Sequence, residues 1–322
     1  MRLTQTKRGE KEQDILPLVE KYEWSGDYQQ AARQLTFIVA NTPTDIELPK
    51  ISIQTGAMIR LFDNTPTEIF RGYVFTQELT RSSGEISVTC FDGMTYFAHN
   101  KATYNFTNTT PEAIAERICH DFGVSVGDII KTNVRISQVF KGEALYDIIM
   151  KAYTQASAVT GIKYMPIMWQ GKFCVRQKGR DTSNYIASSK TNIYDAVYDE
   201  SIDGMVNRVK IYASNGAYLG MVQNSDDISK YGLMQDIYEK QDNVNPTAAA
   251  KAALVRLKQA GKINCEFADT TCIVGNAINI KEPYTGLVGH FFIDTDTHTW
   301  ESGQATMELT VDFQNLMNEM TT

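Results

Sequence analysis

Tyr22-Glu23-Trp24-Ser25-Gly26-Asp27-Tyr28-Gln29-Gln30-Ala31-Ala32-Arg33-Gln34-Leu35-Thr36-Phe37-Ile38-Val39-Ala40 decides how this chain is read. A turn dense in aromatic and charged side chains leads into Leu35–Ala40, an apolar run with the composition of a strand. Working outward, Met58–Phe62, Glu68–Phe75 and Ile86–Phe91 repeat that composition, rich in Ile, Val, Phe and Thr. Asn41-Thr42-Pro43, Asp63-Asn64-Thr65-Pro66 and Ser82-Ser83-Gly84 interrupt them, and Asp92-Gly93 ends the last run with a turn signal. Short strands at such close spacing predict a small barrel or sandwich. No run contains a catalytic constellation, so the expectation is a part made for assembly and not an enzyme.

The totals narrow the class. A length of 322 residues predicts about two domains. At 43% apolar and 21% charged residues, the chain has material for an ordinary core. The formal charge of −7 argues against a nucleic-acid binder, which needs clustered Lys and Arg. The densest basic cluster is Arg176, Lys178 and Arg180, expected as a solvated rim. No apolar run reaches the ~18 residues that span a bilayer. Met1–Glu12 contains no hydrophobic stretch of the secretory kind, so a cytosolic chain is expected. The five cysteines, Cys90, Cys119, Cys174, Cys265 and Cys272, are scattered without a CxxC pair and are expected reduced and structural.

Beyond Ala102 the periodicity changes. Thr110 is a good N-cap, Pro111 suits the first helical position, and Ile114, Ile118 and Phe122 recur at helical spacing before Gly123. A second helix is expected from Glu143 to about Ser157, with Leu145, Ile148, Ile149, Ala152, Tyr153 and Ala156 as its apolar stripe. A hairpin follows, Ile162–Met168 and Lys172–Arg176, turning at Gln170-Gly171. Strands return at Val206–Ala213, Tyr218–Gln223, Cys272–Ile280, Phe291–Thr295 and Thr306–Phe313. One helix interrupts them, capped by Asn245, opened by Pro246, running through Leu257 and closed by Gly261. The predicted fold class is α+β, mainly β: two small β-barrels with an α/β insert between them. The expected domains are 1–100, 101–190 and 191–322, the last carrying the helical insertion near 245–261.

Candidate chemistry is thin. His290-Phe291-Phe292-Ile293-Asp294-Thr295-Asp296-Thr297-His298 has the residue types of a metal site, and alternate residues of a regular strand share a face. At roughly 3.3 Å per residue the outer histidines lie about 26 Å apart, too far to share one ion. Cys119-His120 are adjacent on a helix and point about 100° apart, so no Cys–His pair forms. Asp226-Asp227 and Asp199-Glu200 sit in polar, loop-like context, and Ser188-Ser189-Lys190 is too short a match to a Ser/Lys dyad. No Walker loop, GxSxG elbow or dinucleotide fingerprint is present. Catalytic, cofactor-binding and metal residues are therefore all expected to be none, with no cofactor. Thr110–Ile118 followed by Phe122–Ile129 has the cadence of half a LysM module; helix packing explains the same pattern.

Trp24-Ser25-Gly26-Asp27 with Ala31-Ala32-Arg33-Gln34-Leu35, then Gly56–Leu61, Phe70–Phe75 and Val88–Asp92, form an ordered series of short motifs. Gly142–Ile149, Thr160–Tyr164 and Gly286–Ile293 leading to His298 continue it. On these motifs the whole chain resembles the baseplate hub family of contractile phage tails and phage-tail-like bacteriocins, in its Gram-positive prophage branch. Near Gly303-Gln304 that family often has a further histidine where this chain has glutamine, a departure that weakens the metal reading. The resemblance implies a homotrimer with two tube-like barrels per subunit, a symmetry adapter between a sixfold tail tube and a threefold spike. It implies a tail tube protein, a spike protein and other baseplate (wedge) proteins as partners, and a virion or bacteriocin particle assembled in the host cytoplasm. The alternative reading is a peptidoglycan-binding or wall-degrading tail component, based on the LysM-like segment. A metal-dependent enzyme using His290 and His298 is the third.

Overall fold

The computed structural model describes residues 1–41, 51–241 and 245–320; the expected turn residues Thr42 and Pro43 lie outside them. The first strands are β1 (Arg2–Thr6), β2 (Gln13–Asp14), β3 (Val19–Asp27), β4 (Gln34–Ala40), β5 (Met58–Phe62), β6 (Glu68–Thr80) and β7 (Glu85–Asp92). The middle of the chain forms α1 (Met94–His99), β8 (Lys101–Thr109), α2 (Pro111–Asp121), β9 (Val126–Ile129), β10 (Ile136–Ala144), α3 (Leu145–Thr160), β11 (Tyr164–Trp169) and β12 (Lys172–Gln177). The last part forms β13 (Thr182–Ser188), β14 (Ile193–Ser201), β15 (Arg208–Tyr212), β16 (Tyr218–Gln223), α4 (Ser225–Tyr231), β17 (Gln235–Glu239), α5 (Pro246–Ala252), β18 (Lys258–Glu266), β19 (Ala277–Glu282), β20 (Leu287–Glu301) and β21 (Gln304–Asp312).

The chain is mainly β, as expected, and its largest sheet is continuous between the two ends of the sequence. Thirteen strands from both ends of the sequence form one sheet, ordered β14-β18-β21-β20-β3-β4-β7-β6-β5-β1-β2, with β19 on β20 and β13 on β19. The joint is β20. It pairs with β19 from Leu287 to Phe292 and with β3 from Thr295 to Glu301, so one 15-residue strand belongs to both groups. Turn signals show where strands end, but not which distant edge they meet, and β3 and β20 are more than 250 residues apart in sequence.

The N-terminal strands bury one face. Leu35, Phe37 and Val39 of β4 alternate inward to meet Trp24, Ile59, Leu61, Val74, Val88 and Cys90. The α/β segment has its own core, in which Ile114, Ile118 and Cys119 of α2 pack with Leu145, Ile148, Ile149, Tyr153 and Ala156 of α3. α2 begins as its sequence predicts, with the Thr110 hydroxyl accepting from the amide of Ala113 and Pro111 opening the helix. α3 runs three residues beyond the expected end and stops at Gly161, whose φ of 72° closes it in the left-handed region. In the β11–β12 hairpin, Gln170 and Gly171 both adopt positive φ, the two-residue turn read from the sequence.

The chain divides into two compact units, Met1–Val197 with Lys262–Thr322, and Tyr198–Gly261. Within the second unit β16-β15-β17 form a three-stranded sheet, and Ala250 of α5 packs against Val209 and Ile211. α5 is shorter than expected. It ends at Ala252 because Val255 pairs with the backbone of Val206, and Gly261, read as its stop, is a buried residue of β18.

Candidate functional site

The stretch that opened the reading builds a buried charged seam between β3 and β20. Trp24 and Gly26 lie on the inner face of β3, opposite His298 and Asp296 of β20. The turn after β3 returns Arg33 over Trp24, with its guanidinium carbon 4.0 Å from the ring centroid. Arg33 meets Asp296 with two bonds, Nη1–Oδ1 at 2.9 Å and Nη2–Oδ2 at 2.5 Å, a fork geometry that a lysine cannot supply. Asp296 is fully buried and also accepts from the amide of Val274 at 2.6 Å. Gly26 is required here because a Cβ would lie 2.3 Å from Arg33 Nη1 and 2.8 Å from Val274 Cγ1. Burial works against the charge of Asp296, but Arg33 and the His298 hydrogen bond outweigh it and hold this carboxyl down at about 2.

His298 is also fully buried. Its Nε2 lies 3.1 Å from the Cys272 carbonyl and 3.3 Å from Asp296 Oδ2, both acceptors, so Nε2 carries a proton and donates. Its ring lies 5.3 Å from Trp24 and stacks near Trp300, which in turn stacks on Tyr22 at 4.9 Å.

A second buried pair sits beside the first. Lys178 is ion-paired with Asp294 Oδ1, and its ammonium lies 4.4 Å from the ring centroid of Tyr28. Burial lowers the affinity of Lys178 for its proton, against the pull of Asp294. Burial likewise raises Asp294 to about 6, with Lys178 opposing the shift. The three-residue basic cluster is therefore not a solvated rim throughout. Lys178 is buried with its ammonium on Asp294 of β20, and Arg176 lies over Trp169 at 4.7 Å. The cavity beside these groups, lined by Trp24, Arg33, Trp169 and Lys178, measures about 30 Å³. Ligand pockets run to roughly 300–1,000 Å³, so this space suits water and not an organic substrate.

The metal-like string is divided by a β-bulge. The register of β20 against β21 shifts between Ile293 and Thr295. Before the shift Phe291 and Ile293 point inward; after it Asp294, Asp296 and His298 do. His290 is left on the outer face, 3.4 Å from Asn279 Oδ1. The assumption that residues at even separation share one face fails at that extra residue. Among the described residues no three His, Cys, Asp or Glu side chains are grouped to hold a metal ion.

Other candidates also separate. Cys119 is buried in the α2–α3 core, whereas His120 is exposed and pairs with Asp121 at 3.3 Å. Asp226 and Asp227 lie in the first turn of α4, where Asn224 caps their amides. All five cysteines are free and buried. Arg33 and Lys178 were invisible in the sequence as the partners of Asp296 and Asp294: nothing local links either pair. The one available signal was the order Trp-x-Gly followed by Arg after a short turn.

Known proteins share this architecture. The chain is 29% identical over 317 residues to the uncharacterized protein YqbQ of Bacillus subtilis, covering 95% of each. It is 27% identical over 320 residues to the phage-like element PBSX protein XkdQ of the same species, covering 96% of this chain and 97% of that one. A 43 kDa tail protein of prophage MuSo2 from Shewanella oneidensis has the same fold, with a TM-score of 0.74 at 13% identity, over 97% of this chain and 98% of that one. An Escherichia coli component of the type VI secretion system, described as structurally similar to the T4 tail proteins gp27 and gp5, matches at a TM-score of 0.54 and 9% identity, over 91% of this chain and 73% of that one. The model of the YQBQ-like family matches residues 22–312, from the aromatic start of β3 to the end of β21. The chain therefore belongs to the YQBQ-like family, and the phage-tail kinship expected from its sequence is seen in its similarity to a phage-like element protein and in the fold it shares with a prophage tail protein.

Proposed function

We propose that the chain is the structural baseplate hub of a contractile tail, a homotrimer that joins a sixfold tail tube to a threefold spike. The observation that carries this reading is the joint at β20, where the N-terminal and C-terminal strand groups meet edge to edge in one sheet under a buried charged seam. Each group is a wall piece in this reading, so three copies present six. The strands of 1–100 and of 191–322 are the two pieces, and 101–190 is the insert between them. A rigid joint suits that task because a symmetry adapter must hold its two pieces at a fixed angle. A bidentate buried pair fixes register in a way that apolar packing alone does not.

The role is structural and not enzymatic. The cavity at the seam is too small for a substrate, and the buried acids and bases there are engaged with one another. The partners in this reading are the tube protein, the spike and the surrounding baseplate (wedge) proteins, in a virion or bacteriocin particle. Light scattering coupled to size exclusion, with and without the spike protein, tests the trimer. Electron microscopy of the particle tests the position. A monomer under both conditions, or particles that place the chain away from the tube–spike junction, would overturn it.

A further inference from the structure

One surface on the outer face of the C-terminal strands is built unlike the rest. The turns β13–β14 and β19–β20 flank a groove of about 630 Å³ lined by Ile186, Val288 and Pro283, with Lys190 and Lys281 at its rim. Register explains the grouping: Ser188, Lys281 and Val288 lie side by side across β13, β19 and β20. No carboxylate lines the groove, although acidic residues outnumber basic ones in the chain, 38 to 31. Neither lysine has an ion-pair partner among the described residues.

The groove is rigid, and its strand edge is closed. Glu282 is buried beneath the β19–β20 turn and accepts from the amides of Tyr284 at 2.8 Å and Thr285 at 3.3 Å. Ser189 of the neighbouring turn donates from its hydroxyl to the carbonyl of Lys281 at 3.4 Å and from its amide to the same carbonyl at 3.2 Å, which ties the two turns. The turn holds Tyr284 at its apex with 97% of the side chain's surface exposed. On the free edge of β13, Asn192 takes the amide of Ser188 and the carbonyl of Ile186. A partner strand cannot add to that edge, so an occupant must be held by side chains.

Resting on the hub reading, we propose that this groove docks an acidic, apolar segment of a different tail component, with Tyr284 as its aromatic anchor. Unpaired lysines beside exposed Ile and Val call for carboxylates interleaved with apolar side chains, and an exposed tyrosine on a fixed turn binds at small entropic cost. A second copy of this chain, or a basic segment, is the competing occupant.

The test uses the full chain expressed within its own tail gene cluster, with photoreactive p-benzoyl-phenylalanine in place of Tyr284. The same residue in place of Tyr218 serves as the control. The expected result is an adduct from position 284 to a different tail chain, mapped to a segment of Asp or Glu alternating with apolar residues. Lys190→Glu with Lys281→Glu should lower its yield about tenfold. An adduct to a second copy, an adduct to a basic segment, no adduct in particles that contain the chain, or a yield unaffected by the two substitutions overturns the docking proposal alone. Particles that lack the chain overturn the hub reading and the docking proposal with it.

Discussion

Arg33 and Asp296 show what a buried pair demands of a sequence. Their bond is a fork between a turn and a strand far apart in the chain, and it forces glycine at position 26. Removing one partner strands the other in a dry interior. Arg33→Met should cost about 3–5 kcal/mol by chemical denaturation. Adding Asp296→Leu should recover part of that loss, but not all, because the amide of Val274 then loses its acceptor. Gly26→Ala should destabilise by about 1–3 kcal/mol through overpacking against the guanidinium. Protonation separates two buried acids, Asp92 and Asp296. Asp92 is fully buried, and desolvation raises its carboxyl to about 7, above the ordinary 3.8. It binds its proton more tightly in the folded chain, so its contribution to stability falls as pH rises from about 4 through about 7. Asp296, held near 2, does the reverse: its contribution is present above about 4 and is lost as pH falls toward 2. Asp92→Asn, which keeps an acceptor for the amide of Met94, should flatten the upper part of a pH–stability curve and leave the acid limb unchanged. A curve unaltered between pH 5 and 8 would refute that assignment.

At the scale of elements, local signals and packing can be told apart in α2. The cap at Thr110 is a single hydrogen bond at the helix start, and Thr110→Ala should cost about 1 kcal/mol. Ile118 is completely buried between α2 and α3, so Ile118→Ala should cost about 2–5 kcal/mol. Equal losses for the two would mean that the helix is held by its own ends and not by its stripe. β20 carries the opposite lesson. Its composition was legible, but the bulge between Ile293 and Thr295 was not, since a one-residue insertion in the pairing leaves no mark in a periodic pattern. That bulge turned a string of candidate ligands into one outer histidine and three inner groups.

For the whole molecule, the two compact units differ in how much core each holds. Among the described residues the Tyr198–Gly261 unit centres on Val209, Ile211 and Ala250, whereas the other unit contains two extensive cores. Small cores are marginal, so amide hydrogen exchange in β15–β17 should be faster than in β3, β4 and β20 by orders of magnitude. Equal protection in both would contradict this ranking.

The sequence by itself determined the strands, their turns, the helix caps and the apolar stripes, because these depend on neighbours within a few residues: Pro111 after Thr110, Gly171 after Gln170, alternate burial along Leu35–Ala40. It also carried the family kinship, in the order of many short matches. Only the tertiary structure decided that β3 meets β20, that Arg33 and Lys178 are buried against Asp296 and Asp294, and that His290 faces away from His298. Those outcomes depend on which edges come together and where one strand slips by a residue, and pairing across hundreds of positions is selected by the free energy of the whole sheet, not by any local run of side chains.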